Sequence, residues 1–292
     1  MPKVSVIIPV HNQAPYLAEC LDSVLAQTLR EIEVVCVDDG SNDGSERMLD
    51  EYAARDGCVK VIHQANVGVA AARNNGLDAA TGGFVAFMDS DDRYPDDGVL
   101  ADLVRGAEQN GVDICGGSMR TMNGDYLEPE FVFGRDETRC FADYQFEFGF
   151  TRYVYRRAFL VRFGLRFPVL RQYEDVPFLV QAMHAAGSFR ALAREVYAYR
   201  TGHHQVDWFG AGGVRALDVM RGLLTVYDLA NEYGYSDIAR RSVDRILKFV
   251  RERGEEFVRV RDELDAVKGS ESYHLGLFLT WPVRKMKTWG RK

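Results

Sequence analysis

The chain is poor in several features that would sharply restrict its function. Its 292 residues hold five cysteines, Cys20, Cys36, Cys58, Cys115 and Cys140, an odd and scattered set without a Cys-x-x-Cys pair. That spacing offers neither a zinc knuckle nor a dithiol redox centre. Three of the five fall in apolar helix or strand patterns, where a reduced thiol behaves as a small hydrophobe, and a reducing cytoplasm is the expected setting. No apolar run is long enough to cross a bilayer. Met1 leads straight into a strand-like stretch with no basic segment and cleavage site, so export is not expected. Clustered bases are scarce over most of the chain and the formal net charge is -7, which argues against nucleic acid as a partner. Gly-x-Gly-x-x-Gly and P-loop patterns are missing after every candidate strand, which removes the usual dinucleotide and triphosphate cradles.

What is present is a strand and helix rhythm. With 47% hydrophobic and 27% charged residues, the chain can bury a substantial core. Residues 4–8 make a β-rich run closed by Pro9. Asn12 is placed to cap the next helix and Pro15 suits its first turn, with Leu17, Cys20, Leu21 and Val24 at helical spacing. Strands at 33–37, 58–62 and 84–88 follow, separated by helical patterns around Leu49 and Ala72. Such alternation predicts an α/β fold, a Rossmann-like, mostly parallel sheet with helices on both faces, whose ligands gather at the carboxyl ends of the strands. The chain divides into regions 1–115, 116–205, 206–270 and 271–292: the alternating part, a looser aromatic-rich part, a helical part and a basic aromatic tail.

Two acidic clusters end strands on that edge. Asp89-Ser90-Asp91-Asp92 places three carboxylates in four residues after the fourth strand. Crowded carboxylates repel unless a cation joins them, and Mn2+ or Mg2+ binds through one or two carboxylates plus substrate phosphates. An acidic turn capping the next helix reads equally well. Asp38-Asp39-Gly40-Ser41 ends the second strand, where a carboxylate can accept hydrogen bonds from a base or ribose, or simply cap a helix. Arg73 can offset the acidic charge at a phosphate or base, or form a structural ion pair. With no glycine cradle, phosphate handling falls to a metal.

Four ordered segments then carry a resemblance: Val-Ile-Ile-Pro-Val-His-Asn at 6–12, Val-Asp-Asp-Gly-Ser at 37–41, Ala-Ala-Arg-Asn-Asn-Gly at 71–76 and Phe-Met-Asp-Ser-Asp-Asp at 87–92. The chain resembles the family-2 glycosyltransferases, with their A-type glycosyltransferase fold. The resemblance implies inverting transfer of one sugar from a nucleotide-sugar donor, a uridine diphosphate sugar, to an acceptor hydroxyl. It implies Pro9, Val10 and Asn12 along the donor nucleotide, Asp39 near the uracil, Arg73 in the nucleotide site, Asp89 near the ribose and Asp91 on the metal, with the part of Asp92 open. In Tyr173-Glu174-Asp175-Val176-Pro177 it implies Asp175 as the base that takes the acceptor proton, although a helix cap accounts for the same residue. His203 or His204 is placed by the resemblance to complete the metal shell, and adjacent residues point apart on an extended chain, so at most one does so; His203 is the candidate.

No Gln-x-x-Arg-Trp motif follows the Glu-Asp pair, which disfavours a polymer-forming member. The resemblance then implies a single addition to a growing glycan or lipid-linked saccharide, in surface polysaccharide or other glycan synthesis. A sugar-phosphate nucleotidyltransferase is the rival enzyme, but Pro9-Val10-His11-Asn12 stands where that class has a glycine-rich, arginine-containing loop. A catalytically inactive nucleotide-binding relative is the non-enzymatic alternative, and the presence of Asp175 weighs against it. From Arg284 to Lys292 there are five positive residues and no acidic one, with Phe278, Trp281 and Trp289 interleaved or just before. This composition suits peripheral contact of 271–292 with the inner face of the cell membrane, or a packed helix with a frayed basic end.

Overall fold

The computed structural model of the protein describes residues 1–202 and 214–264. Residues Met1–His204 form one compact unit and Gln205–Lys292 another. His203 and the 271–292 tail lie outside the described residues.

The first unit follows the alternation. Strand β1 (Val4–Val10) leads to helix α1 (Ala14–Leu25), β2 (Ile32–Asp39) to α2 (Ser45–Arg55), β3 (Val59–Gln64) to α3 (Val69–Ala79), and β4 (Phe84–Phe87) to α4 (Val99–Gln109). Then come β5 (Ile114–Thr121), β6 (Glu137–Cys140), the short α5 (Phe141–Tyr144), β7 (Tyr153–Arg156), α6 (Arg157–Arg162), α7 (Asp175–Ala186) and β8 (Ser188–Tyr199). All eight strands share one sheet in the order β3-β2-β1-β4-β7-β5-β8-β6. β3, β2, β1 and β4 are mutually parallel, β7 runs antiparallel to both β4 and β5, β8 is parallel to β5, and β6 is reversed again. Six strands therefore point the same way, and their carboxyl ends make one edge.

The structure moves several expected boundaries. β1 runs through Pro9 to Val10, paired with β2 at Pro9↔Val37 and Val10↔Asp38. The last β1–β4 pair is Ile7↔Phe87, so at Pro9 the ladder on that side has already ended and a missing N–H can be accommodated. Asn12 does not cap α1. Its side-chain oxygen accepts from Asn42 N at 2.8 Å, while the helix entry is satisfied from the start of α2 and the loop before it: Gln13 N donates to Ser45 Oγ at 2.9 Å and Ala14 N to Asp43 Oδ2 at 3.0 Å. The boundary drawn at 115/116 falls inside β5, and β5 to β8 extend the same sheet.

Close packing aligns the layers. β1 and β2 are buried along their whole length, as central parallel strands covered on both faces should be. Gly76 lets α3 press onto β1, where a Cβ would stand 2.4 Å from Ile7 Cγ2. Under the later strands, Phe87, Phe150, Tyr155, Phe167 and Phe178 form an aromatic cluster, with Phe167 and Phe178 stacked at 4.1 Å. A second cluster encloses the fully buried Arg152, whose guanidinium lies 4.6 Å from the Phe133 ring and 5.2 Å from Phe131, and donates to the Tyr144 hydroxyl at 2.5 Å. The aromatic segments read as loose are thus the wrapping of a buried cation.

In the second unit, α8 (Val214–Tyr233) packs on α9 (Ser236–Leu264). Val219, Leu223, Val226 and Ala230 make the buried stripe of α8, and Ile238, Ser242, Ile246 and Phe249 that of α9. No described helix is long and apolar enough to cross a membrane.

Candidate active site

The carboxyl edge of the sheet gathers the acidic clusters. At the end of β2, Gly40 turns with φ +73°, and a Cβ there would stand 3.0 Å from Asn66 N, so the loops after β2 and β3 are in contact. The buried Asp39 carboxylate binds that second loop: Oδ1 accepts from Gln64 Nε2 at 2.7 Å and Val67 N at 2.9 Å, and Oδ2 from Gly68 N at 2.9 Å. Asp39 therefore shapes the loop before α3. Pro9 and Val10 are buried at the end of β1, and the exposed Asn12 clips the loop after β2. His11, next in line, is exposed with its Nε2 3.1 Å from the Asn66 side-chain amide.

The loop after β4 is an acidic turn closed by Asp92 N donating to Asp89 O at 3.0 Å. Its three carboxylates have different fates. Asp92 is only 1% exposed and is fastened to the end of β8: Tyr197 Oη donates to Oδ2 at 2.7 Å and Arg200 N to Oδ1 at 2.7 Å. Burial, reinforced by the charges of Asp89 and Asp91, pushes its carboxyl well above the usual range, against the pull of those hydrogen bonds. Arg200 also donates through Nε to Asp91 O at 2.8 Å, pairs with Glu19 and lies 4.8 Å over the Tyr16 ring, so one residue joins α1, the acidic turn and β8. Asp91 and Asp89 are partly exposed.

Asp89 is held by Arg73, whose Nη2 donates to Oδ1 at 2.7 Å, while Nη1 pairs with Glu174. Arg73 is 5% exposed, and its guanidinium lies 4.7 Å from the Phe150 ring and 5.3 Å from Phe167. Burial opposes its charge, but Asp89 and Glu174 outweigh burial and hold it protonated more firmly than a free arginine.

Glu174 occupies the cap position of α7 without a side-chain cap bond, Asp175 is the first helical residue, and Pro177 sits in the first turn. The expected cap is thus displaced by one residue. The preceding Tyr173 holds φ at +69°, a left-handed conformation that a bulky residue adopts only under constraint. Burial first, then the Glu174 charge, push the Asp175 carboxyl up to about 7, with Arg73 pulling the other way. A carboxylic acid near half-ionisation at neutral pH beside a second acidic cluster has the properties of a proton acceptor.

The structure thus brings Arg73, Asp89 and Glu174 into one ionic cluster with Asp175 beside it. Sequence reasoning missed Tyr197 and the bracing by Arg200; β8 mixes Arg190, Arg194 and Glu195 with apolar residues, so no local pattern singled them out. Among the described residues no three His, Cys, Asp or Glu side chains converge as a metal cage. The partly exposed Asp91 carboxylate offers the oxygen donors that suit a hard divalent ion, whose other ligands would come from phosphates and water.

The profile of glycosyl transferase family 2 matches residues 5–197, and the chain belongs to that family. Over 212 residues it is 36% identical to a Bacillus subtilis protein named uncharacterized glycosyltransferase EpsJ, covering 68% of this chain and 61% of that protein. It is 28% identical over 233 residues to the uncharacterized glycosyltransferase YibD of Escherichia coli, covering 75% of this chain and 67% of that one. The chain thus spans about three-fifths of the length of EpsJ, at 61%. Among solved structures it is similar to S. aureus TarS 1-349 in complex with UDP-GlcNAc, with a TM-score of 0.72, 23% identity and coverage of 95% of this chain and 79% of that one. It is also similar to the mannosyltransferase PcManGT of Pyrobaculum calidifontis in complex with GDP-Man and Mn2+, at TM-score 0.63, 20% identity and coverage of 99% and 83%. These likenesses establish the A-type glycosyltransferase fold expected from the sequence.

Proposed function

We propose that the protein is an inverting glycosyltransferase that moves one sugar, a hexose, from a nucleotide-sugar donor to an acceptor hydroxyl. The observation that carries this reading is the raised Asp175 carboxyl at the start of α7, joined through Glu174 and Arg73 to Asp89 in the donor-side turn. In this reading the acceptor oxygen attacks the anomeric carbon and its proton passes to Asp175. The bond from that carbon to the diphosphate oxygen breaks, and its electron pair leaves with the nucleoside diphosphate. A positioned base of this kind contributes roughly a hundredfold to ten-thousandfold. Pro9, Val10, Asn12, Asp39 and Asp89 are assigned to the donor nucleotide, through backbone where their side chains are buried.

Asp91 would hold a divalent cation, Mn2+ or Mg2+, whose chemistry is to offset charge on the departing diphosphate. His203 is assigned as its further ligand from the sequence alone. Uridine diphosphate is the proposed nucleotide, in keeping with the UDP-GlcNAc bound by TarS. The proposed acceptor is a glycan or lipid-linked saccharide of surface polysaccharide or similar synthesis, reached at the cytoplasmic face of a membrane. Residues 271–292 are assigned to peripheral contact with that face, each Lys or Arg near an anionic surface contributing about 1 kcal/mol.

A panel of nucleotide sugars with Mn2+, monitored for release of nucleoside diphosphate with and without saccharide acceptors, tests the reaction. Inversion is checked by the anomeric proton coupling of the product. Absence of diphosphate release across the panel would overturn the reading, and pyrophosphate formed from a nucleoside triphosphate and a sugar phosphate would replace it with nucleotidyl transfer. For the tail, equal flotation with anionic liposomes of the full chain and of a form ending at Ser270 would remove the membrane assignment.

A further inference from the structure

Arg73 lies in the segment 71–76, and the resemblance assigns it to the nucleotide site, yet its placement is unlike that of a donor ligand. Its two terminal nitrogens are spent on Asp89 and Glu174, residues 16 and 101 positions away. Its Nε is buried without a hydrogen-bond partner, and aromatic rings at 4.7 and 5.3 Å cover the guanidinium. Little of it is left to meet a substrate. What the fork does is fasten the turn after β4 to the cap position of α7, directly before Asp175.

We infer that Arg73 is a positioning residue, which by gripping Asp89 and Glu174 together fixes the first turn of α7 and so places the Asp175 carboxylate against the donor-side turn. This rests on the reading of Asp175 as the base. A planar guanidinium suits the task, since it can present separate nitrogens to two carboxylates where an ammonium is a single point charge. The left-handed Tyr173 is the second constraint on the same turn.

The arrangement also sets the electrostatics of Asp175. The groups that act on it are Glu174 on its own helix, Arg73 on α3, Asp89 after β4, Tyr155 on β7 and Tyr199 on β8. Glu174 and Asp89 favour the protonated form, and Arg73 alone among them favours the carboxylate. Tyr155 and Tyr199 stay neutral, their own hydroxyls pushed upward by burial. Removing the Arg73 charge therefore raises the Asp175 midpoint, and removing the Glu174 charge lowers it.

Carboxyl carbon-13 titration of full-length protein labelled at aspartate measures this without any substrate, with Asp175→Asn assigning the signal. Arg73→Gln is expected to raise the Asp175 midpoint by roughly half a pH unit or more, and Glu174→Gln to lower it by a similar amount. Arg73→Lys keeps the charge but not the fork. Its midpoint should stay close to wild type while turnover falls about tenfold or more and UDP affinity, by calorimetry, stays within about threefold. A midpoint unmoved by Glu174→Gln and by a folded Arg73→Gln would overturn the inference; if Arg73→Gln does not fold, Glu174→Gln decides. Loss of UDP affinity in Arg73→Lys as steep as its loss of turnover would also overturn it, returning Arg73 to the donor site. A wild-type protein without transfer would instead overturn the proposed reaction, and the titration would still decide the role of Arg73.

Discussion

Glu33 and Asp175 are two acidic side chains at opposite edges of one sheet, and their proton affinities move in opposite directions. Burial pushes both upward. At Glu33 it is outweighed: Ser5 Oγ donates to Oε1 at 2.5 Å, Thr81 N at 2.6 Å, Thr81 Oγ1 at 2.9 Å and Gly82 N at 3.1 Å, while Lys60 Nζ holds Oε2 at 2.6 Å. These donors bring the carboxyl down to about 2, although the residue is 2% exposed. Asp175 has the charges of Glu174 and Asp89 beside it and shares one arginine with them, and it rises to about 7. The number and sign of partners, more than depth, decide the outcome. One edge satisfies its carboxylate and ties β1, β2, β3 and the turn before β4 together. The other leaves a carboxylate short of donors, which is the usual condition of a reactive group.

Asp175→Asn is the sharpest way to break the comparison, because it removes the basicity of one carboxylate and keeps its shape. Transfer should fall roughly a hundredfold or more, with UDP affinity within about twofold. In wild type, turnover should rise with pH through an acid limb near 7, as Asp175 loses its proton; in the variant that limb should disappear. Stability should move the other way. A carboxyl whose folded value lies above the unfolded one costs stability as pH rises from about 4 to about 7, so the neutral variant should melt higher than wild type above neutrality. Near-normal turnover in this variant would reduce Asp175 to a helix-start residue, since Asn serves there about as well as Asp.

The opposite carboxylate should respond in stability rather than in turnover. Glu33→Gln loses the ion pair with Lys60 and the charge that strengthens the other bonds, and is expected to cost about 2 kcal/mol near neutral pH. Because the folded value is depressed, the contribution is present above about 4.5 and is lost as pH falls towards about 2. Urea unfolding of wild type and variant should therefore converge in that window, while turnover per folded molecule stays unchanged. A gap that does not narrow in acid would show that packing, not ionisation, makes Glu33 useful.

The two edges also differ in how far the sequence revealed them. The acidic turn after β4 and the Asp39 loop were legible because each follows a short apolar strand, and parallel alternation sends such loops to one edge. Asp175 was legible only through a motif, and its raised proton affinity was not, because Arg73 reaches Glu174 across 101 positions. The Asp92 fastening to Tyr197 spans 105 positions, so nothing local marked Asp92 as a brace rather than a ligand. Likewise, the aromatic stretches around Phe131 and Phe146 lacked a strand or helix period because their rings follow the buried Arg152, not a sheet face. Local pattern reports elements, whereas pairings between distant residues report only in the folded chain. Glu33 shows the same limit, since its partners come from three separate segments: Ser5, Lys60 and the Thr81–Gly82 turn.

His63 is the weakest lever and separates burial from pairing. On β3 it sits between two carboxylates, Nδ1 2.8 Å from Asp38 Oδ2 and Nε2 3.1 Å from Asp50 Oδ1, joining the end of β2 to α2. The bonds to Asp38 and then Asp50 raise its value, with burial pulling slightly the other way. Asp38 answers with a lowered one: burial pushes it up, and the bonds from Ser41 and His63 outweigh burial. Unlike Glu33, both His63 and Asp50 are open to water, at 45% and 66% side-chain exposure, so solvent and salt screen the pair. His63→Gln should therefore cost under about 1 kcal/mol. A raised histidine contributes fully below about 6.5 and loses its contribution as pH rises through the folded value, so the cost should fade towards alkaline pH and shrink at high salt. Thermal melts at about pH 6 and about pH 9, each at low and high salt, measure both trends. A cost independent of pH would mean that the imidazole acts by shape alone, and that pairing without burial contributes nothing on this edge.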